Sequence, residues 1–233
     1  MHVFRENIDR VSAFYNSDYY RMLKADTPAY IRSVCKGLME DPDACDRDLY
    51  KEKAIQLGIK EFCAFRTSIK DGDTVLGMDC VIGWKKLFDI HKGSIEWLRD
   101  YKEIRSNLNS HILWPRSEKN TINTVRARAF NDRIDYTLYD ISLFFDRLKS
   151  GERIDDLKLA GAYYNPVTYN WLSKHKCFGH LVERLHLQCF CSDQMGVLNL
   201  SDGHSVIQGY MPDYKTVDAK YLQNLKAAIR ASE

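Results

Sequence analysis

The residues best suited to chemistry lie in and beside one polar segment between Arg116 and Arg133. A guanidinium group pairs two acceptor oxygens at once, and an Asn side chain supplies both a donor and an acceptor. This combination is typical of a site for an anionic or nucleotide-like ligand. The candidate ligand-binding residues are His111, Arg116, Asn123, Arg126, Asp132 and Arg133. We expect the charge of Arg126 to reach the partner, while Asp132 fixes the start of the next helix.

The same residues have a purely structural alternative. Asp132 can cap the following helix, and Arg126 or Arg133 can pair with Asp135 or Asp140. Charged loops are more often solvated or paired internally than catalytic. In this alternative the segment only holds the fold, and the chain is a protein-interaction module without a ligand site.

A reaction at this segment is a third interpretation. Asp132, Asp135 or His111 could serve as acid or base in a hydrolase or transferase that acts on a nucleotide or nucleic acid, with the arginines stabilising charge. The sequence contains no P-loop, no G-x-G-x-x-G, no G-x-S-x-G and no H-E-x-x-H pattern. No particular reaction is therefore identified.

A second set of residues has the donor types that bind zinc: His175, Cys177, His180, Cys189 and Cys191. Their spacing matches no standard zinc arrangement, and Cys189 continues an apolar stripe. The seven cysteines are an odd number without a scaffold-like spacing. We predict that they are thiols, and that the protein holds no metal and no cofactor.

Four aromatic residues cluster around Pro166: Tyr163, Tyr164, Tyr169 and Trp171. Such rings can stack nucleic-acid bases if a basic segment lies beside them. Large rings more often cover the edge of a core. Covering of the core is the interpretation we favour here.

Composition narrows the class of protein. Hydrophobic residues make up 45% and charged residues 28% of the 233 residues, as in ordinary globular proteins. The formal net charge of +2 is too small for a bulk polycation, so any attraction for nucleic acid must be local. The sequence lacks an apolar run of membrane-spanning length and an apolar leader at its start. We therefore expect a cytoplasmic protein with no membrane partner, and the oligomeric state stays open.

The clearest element is a helix that follows the polar segment. Its apolar stripe is Ile134, Leu138, Ile141, Phe145 and Leu148, spaced as on one face of an α-helix. The pattern places Asp132 at the N-cap and Asp135 at the third helical position, and Gly151 ends the helix.

The other elements complete an α+β fold, predominantly helical, with a small antiparallel sheet. Asp71 and Gly72 between short apolar pieces over 60–84 predict a β-hairpin. The pattern also predicts a strand at His111–Trp114 closed by Pro115. Helices are expected before residue 60, over 94–107, along the stripe Phe178 to Cys189, and over 217–231. We expect a single globular domain over 1–233.

The motif that spans Trp114 to Leu138 resembles the signature of a family of uncharacterised bacterial proteins, a domain of unknown function. That signature runs (F/W)P, then TIN, then R, then DRxDxTL. The matching positions are Trp114–Pro115, Thr121–Asn123, Arg126, Asp132–Arg133, Asp135 and Thr137–Leu138. The resemblance extends more loosely over 94–193, and Ala127 and Arg128 stand where family members usually have Gly. It implies a shared fold and site but no activity.

From the residues we expect an intracellular binding protein. Its polar segment would hold an anionic partner, either a phosphate-bearing small molecule or nucleic acid.

Overall fold

The computed structural model describes residues 62–63, 68–71, 73–92, 100, 103–104, 110–116, 120–203 and 205–231. The helices expected before residue 60 lie outside these residues, as does most of the helix expected over 94–107. The side chain of His111 also lies outside what is described.

Within the described residues, the sheet has four antiparallel strands in the order β1-β2-β3-β4. Their bounds are β1 Phe62–Cys63, β2 Ser68–Asp71, β3 Thr74–Cys80 and β4 His111–Pro115. Asp71 pairs with Thr74 across the β2–β3 turn, which confirms the predicted hairpin. In the last pair of strands, Leu76 lies opposite Pro115 and Cys80 opposite His111.

Helices account for most of the remaining described chain. They are α1 Trp84–Ile90, α2 Ile122–Phe130, α3 Ile134–Ser150, α4 Ala160–Tyr163, α5 Pro166–Ser173, α6 Phe178–Arg184 and α7 Ala219–Arg230. Helices α2 and α5 pack against β4. The architecture is α+β and mostly helical with a small antiparallel sheet, as the sequence predicts. None of the described helices is long and apolar enough to cross a membrane.

Helix α3 confirms most of the predicted stripe. Ile134, Leu138 and Ile141 have no exposed surface, and Phe145 is nearly buried. Leu148 is 37% exposed, so the buried stripe ends one turn earlier than the spacing indicates. Gly151 ends the helix with a positive φ of 71°, a conformation that glycine adopts without strain.

The predicted start of α3 is wrong by one residue. Arg133 occupies the N-cap position with extended backbone angles, and no side chain caps the helix there. Asp132 lies outside the helix with a positive φ of 66°. Its backbone conformation is set by the sharp turn between α2 and α3, so its carboxylate is not placed to accept the first free N–H groups.

Two later helices differ in how well they match the sequence. Helix α6 ends at Arg184, and the chain turns at His186, which has a φ of 53°. Cys189 therefore belongs to a short 3-10 turn at Gln188–Phe190 rather than to the predicted helical stripe. Helix α7 matches its prediction, and Asp218 caps it by accepting a hydrogen bond from the Tyr221 N–H at 2.8 Å.

Candidate functional site

A sharp corner between α2 and α3 brings three of the predicted site residues together. Asn131 and Asp132 form the corner, with φ values of 55° and 66°. Asn and Asp tolerate this left-handed conformation better than other residues with a side chain. Arg126 lies on α2 before the corner, and Arg133 follows directly after it.

Arg126 is buried at the corner and satisfied by groups of the chain itself. Its Nε and Nη2 atoms both donate to one carboxylate oxygen of Asp79, and the distance from Nη2 is 2.5 Å. Nη2 also donates to the Cys80 carbonyl at 3.0 Å, and Nη1 donates to the Asp132 carbonyl at 3.2 Å. Burial lowers the pKa of Arg126, but the charges of Asp79 and Asp132 outweigh this and raise it, so the side chain is a cation.

Arg133 forms a second buried network on the other side of the corner. Its Nε and Nη2 atoms donate to the two oxygens of Asp135 at 3.0 and 2.5 Å. It also donates to the Thr216 carbonyl and to the Asn199 side chain, both at 3.2 Å. The guanidinium lies 4.7 Å from the ring centre of Tyr136. Every part of this cation is therefore in contact with protein groups.

Asp135 has no access to a substrate as an acid or a base. Besides the two hydrogen bonds from Arg133, it accepts from the backbone N–H groups of Tyr136 at 2.9 Å and Leu200 at 3.0 Å. Its side chain has no exposed surface. The carboxylate joins α3 to the segment around Leu200, which is a structural role.

Arg116 and Asn123 are more accessible than Arg126 and Arg133; Arg116 follows β4, and Asn123 lies in the first turn of α2. Asn123 is half-buried, one turn before Arg126 on α2. Arg116 is exposed, and its side chain lies over Gly77. A Cβ atom added to Gly77 would be 3.3 Å from the Cδ atom of Arg116. Gly77 and Asp79 share a face of β3, so Arg116 lies on the same side of the sheet as the ion pair of Arg126.

Next to the corner, the structure brings together a cationic and aromatic surface that the sequence did not reveal. We call it the basic–aromatic surface and define it by these residues: Lys86, Arg128, Asn131, Lys158, Tyr210, Tyr214 and Lys215.

One half of the basic–aromatic surface is built around Asn131. Lys86 donates through its Nζ to the Asn131 side-chain oxygen, and the Asn131 amide donates to the Lys215 carbonyl at 3.1 Å. The Lys215 Nζ donates to the Arg128 carbonyl at 3.4 Å, at the end of α2, where the helix dipole favours a cation. The side chains of Lys86 and Lys215 thus both contact the segment at the end of α2, Lys86 at Asn131 and Lys215 at the Arg128 carbonyl.

The other half is built from two tyrosines and Lys158. The Lys158 Nζ lies 5.4 Å from the ring centre of Tyr210 and 6.0 Å from that of Tyr214. The Lys215 Nζ lies 5.6 Å from the Tyr214 ring centre. Such cation–π contacts hold an ammonium near a ring without neutralising its charge.

Among the residues that the structure describes, the basic side chains of the surface are not paired with carboxylates. Within the part of the chain that the structure describes, no salt bridge involves Lys86, Arg128, Lys158 or Lys215. Hydrogen bonds from Arg147, and to a smaller extent the charge of Lys158, lower the pKa of Asp156. Both Asp156 oxygens accept from Arg147 at 2.7 Å.

A buried carboxylate, that of Asp140, forms hydrogen bonds with two residues of this surface. Asp140 accepts hydrogen bonds from the Tyr163 hydroxyl at 2.6 Å, the Tyr210 hydroxyl, and the backbone N–H groups of Lys158 at 2.8 Å and Leu159 at 3.2 Å. Burial raises the pKa of Asp140, and these hydrogen bonds offset the rise only in part. One carboxylate therefore fixes both the Tyr210 side chain and the backbone of Lys158.

Sequence reasoning missed the basic–aromatic surface because its residues carry no motif. Lys158 and Tyr210 are separated by 52 positions, and nothing in their spacing indicates contact. The one local signal was Asn131, which precedes the predicted helix and favours a left-handed corner.

The aromatic residues around Pro166 divide into two groups. Tyr163 and Trp171 are buried, as expected of rings that cover a core. Tyr164 is 61% and Tyr169 40% exposed. The Tyr164 hydroxyl donates to Asp155, and the Tyr169 ring packs edge-on against Phe144 at 6.0 Å.

The candidate metal donors do not form a cluster of three ligands among the described residues. His175 is buried, and its Nδ1 lies 3.1 Å from the carbonyl oxygens of Trp171 and Leu172. Burial and the neighbouring Cys189 raise the pKa of Cys191 to about 12, so its thiol is not a thiolate at neutral pH. A thiol in this state is a poor nucleophile.

Comparison with known proteins gives a family without an activity. A family model with the description "Family of unknown function (DUF6994)" matches residues 39–232. The chain belongs to this family, as its resemblance to a domain of unknown function predicts. Searches of curated proteins and of solved structures find no significant match.

Proposed function

We propose that the chain is an intracellular binding protein whose basic–aromatic surface holds a phosphate-bearing partner, either a small molecule or nucleic acid. The observation that carries this proposal is that the ammonium groups of Lys158 and Lys215, neither of them in a salt bridge among the described residues, lie over the half-buried ring of Tyr214. A third ammonium, that of Lys86 from α1, donates to Asn131, whose amide donates to the Lys215 carbonyl.

The physical argument rests on local rather than total charge. A net charge of +2 gives little long-range attraction for a polyanion. The three lysines Lys86, Lys158 and Lys215 raise the local potential, and each can form a charge-assisted hydrogen bond with a phosphate oxygen. Lysine acts as a point charge in such contacts, which suits a flexible or varied anion.

In this proposal Arg126 and Arg133 position the surface instead of binding the ligand. Their guanidinium groups are occupied by Asp79 and Asp135, so an anion would have to break buried ion pairs to reach them. By holding the corner, they place Asn131 between Lys86 and Lys215. Arg116, which is exposed, and Asn123, which is half-buried, remain candidates for direct contact.

A matched set of lysine substitutions tests the proposal. Lys158→Gln and Lys215→Gln remove one charge each from the surface, whereas Lys174→Gln removes an exposed charge at the end of α5. The probe is inorganic polyphosphate, with binding measured at low salt. We expect both surface variants to bind more weakly than Lys174→Gln. Equal affinity of all three variants, or no binding by the wild-type protein, would overturn the proposal.

A further inference from the structure

Tyr214 is a half-buried ring at the centre of the basic–aromatic surface. Three rings contact it at inclined angles: Phe130 at 75°, Tyr136 at 62° and Tyr210 at 60°, with ring centres 5.9 to 6.0 Å apart. These three inclined ring contacts hold the Tyr214 ring in place. Its orientation is therefore fixed by the core.

The groups over Tyr214 are the ammonium ends of two exposed lysines. Lys158 and Lys215 lie 6.0 and 5.6 Å from its ring centre. An exposed cation–π contact is weak, and it is weaker than the stacking of a nucleobase on an aromatic side chain. A base can therefore take the place of an ammonium over the ring, while the displaced ammonium pairs with the adjacent phosphate.

We propose that the partner is single-stranded nucleic acid, in which one base stacks on Tyr214 and the neighbouring phosphates contact Lys158 and Lys215. This inference rests on the proposed function and names its ligand class. Proteins that bind single strands combine aromatic rings that stack bases with basic side chains that follow the backbone. A duplex keeps its bases stacked inside and offers phosphates alone.

Tyr210 and Asp140 give the stacking site its rigidity. The Tyr210 hydroxyl donates to Asp140, and the same carboxylate accepts the backbone N–H of Lys158 at 2.8 Å. Tyr210 in turn stacks on Phe130 at 6.2 Å, with the ring planes inclined by 16°. The ring beside Tyr214 and the backbone that carries its lysine are thus fixed by one buried group, which reduces the ordering needed when a ligand binds.

The test compares full-length protein binding to two fluorescently labelled probes at one salt concentration. One probe is a short oligothymidine strand, and the other is a base-free strand of the same sugar and phosphate length. We expect the wild-type protein to bind oligothymidine about tenfold more tightly, as one stacked base allows. Tyr214→Leu should bring the two affinities close together, whereas Tyr214→Phe should keep the difference.

Tyr164→Leu is the matched control, because Tyr164 is an exposed tyrosine outside the basic–aromatic surface. It should leave both affinities unchanged. Equal wild-type affinity for the two probes would refute base stacking while leaving anion binding intact. Absence of binding to both probes would refute nucleic acid as the partner, and absence of binding to polyphosphate as well would refute the proposed function itself. The wild-type comparison decides the question even if Tyr214→Leu fails to fold.

Discussion

Arg133 and Asp135 form an ion pair with no exposed side-chain surface, with Nη2 and Oδ2 2.5 Å apart. They are two residues apart, at the start of α3, and both of the carboxylate oxygens accept from the guanidinium. The Arg133 guanidinium lies between the rings of Tyr136 and Tyr221, at 4.7 and 5.0 Å from their centres. Removing either partner leaves a charge in the protein interior without its counterion.

The first prediction follows from this burial. Asp135→Asn should lower the free energy of unfolding by about 3–5 kcal/mol, because it leaves the buried charge of Arg133 uncompensated. Chemical denaturation measures the change. Asp155→Asn is the control, since Asp155 pairs with Arg153 in an exposed position and should have no measurable effect. A small change at Asp135 would mean that water reaches the pair.

The second prediction concerns the buried stripe of α3. Leu138→Ala and Ile141→Ala should each cost about 2–5 kcal/mol, because both side chains are fully buried and their truncation leaves a cavity. Leu148→Ala, at the exposed end of the same helix, should cost less than about 1 kcal/mol. Urea denaturation of the three variants provides the comparison. If Leu148→Ala lowered the free energy of unfolding as much as Leu138→Ala, the Leu148 side chain would have to be buried.

The stripe was predictable because it depends on local spacing alone. Apolar residues at helical intervals must face the core wherever the helix lies, so the sequence located α3 and its end at Gly151. The start was misplaced because Asp is common both at N-caps and in left-handed corners. Only the backbone angle of Asp132 distinguishes these two roles.

The site was less predictable because its partners are distant in sequence. Arg126 was expected to be an exposed charge, and this was wrong, since its side chain pairs with Asp79 from β3. In the structural alternative, Arg126 or Arg133 pairs with Asp135 or Asp140, and the structure shows one of these pairs, Arg133 with Asp135. Asp140 instead accepts the hydroxyl of Tyr210, which lies 70 positions further along the chain. Contacts of this kind follow from the assembled fold and not from a local pattern.

The third prediction concerns the pH dependence of stability. Burial lowers the pKa of His175 below its ordinary value of 6.5. As the pH falls below 6.5, the unfolded state takes up a proton that the folded state does not bind, so stability falls until the folded pKa is passed. His175→Gln removes this titration. The measurement is the free energy of unfolding at two pH values, one neutral and one about one unit below the ordinary histidine pKa. The difference between these two values should be smaller in the variant than in the wild-type protein. Identical pH slopes would mean that the folded state protonates His175 readily.

The fourth prediction tests the central claim, that the basic–aromatic surface binds phosphates. The measurement is the slope of log affinity against log salt concentration for oligothymidine. Each phosphate contact on a single strand contributes about 0.7 to this slope, so Lys158→Gln combined with Lys215→Gln should reduce its magnitude by about 1.4. Lys174→Gln should leave the slope unchanged. An unchanged slope in the double variant would contradict the account, because it would place the phosphates elsewhere on the protein.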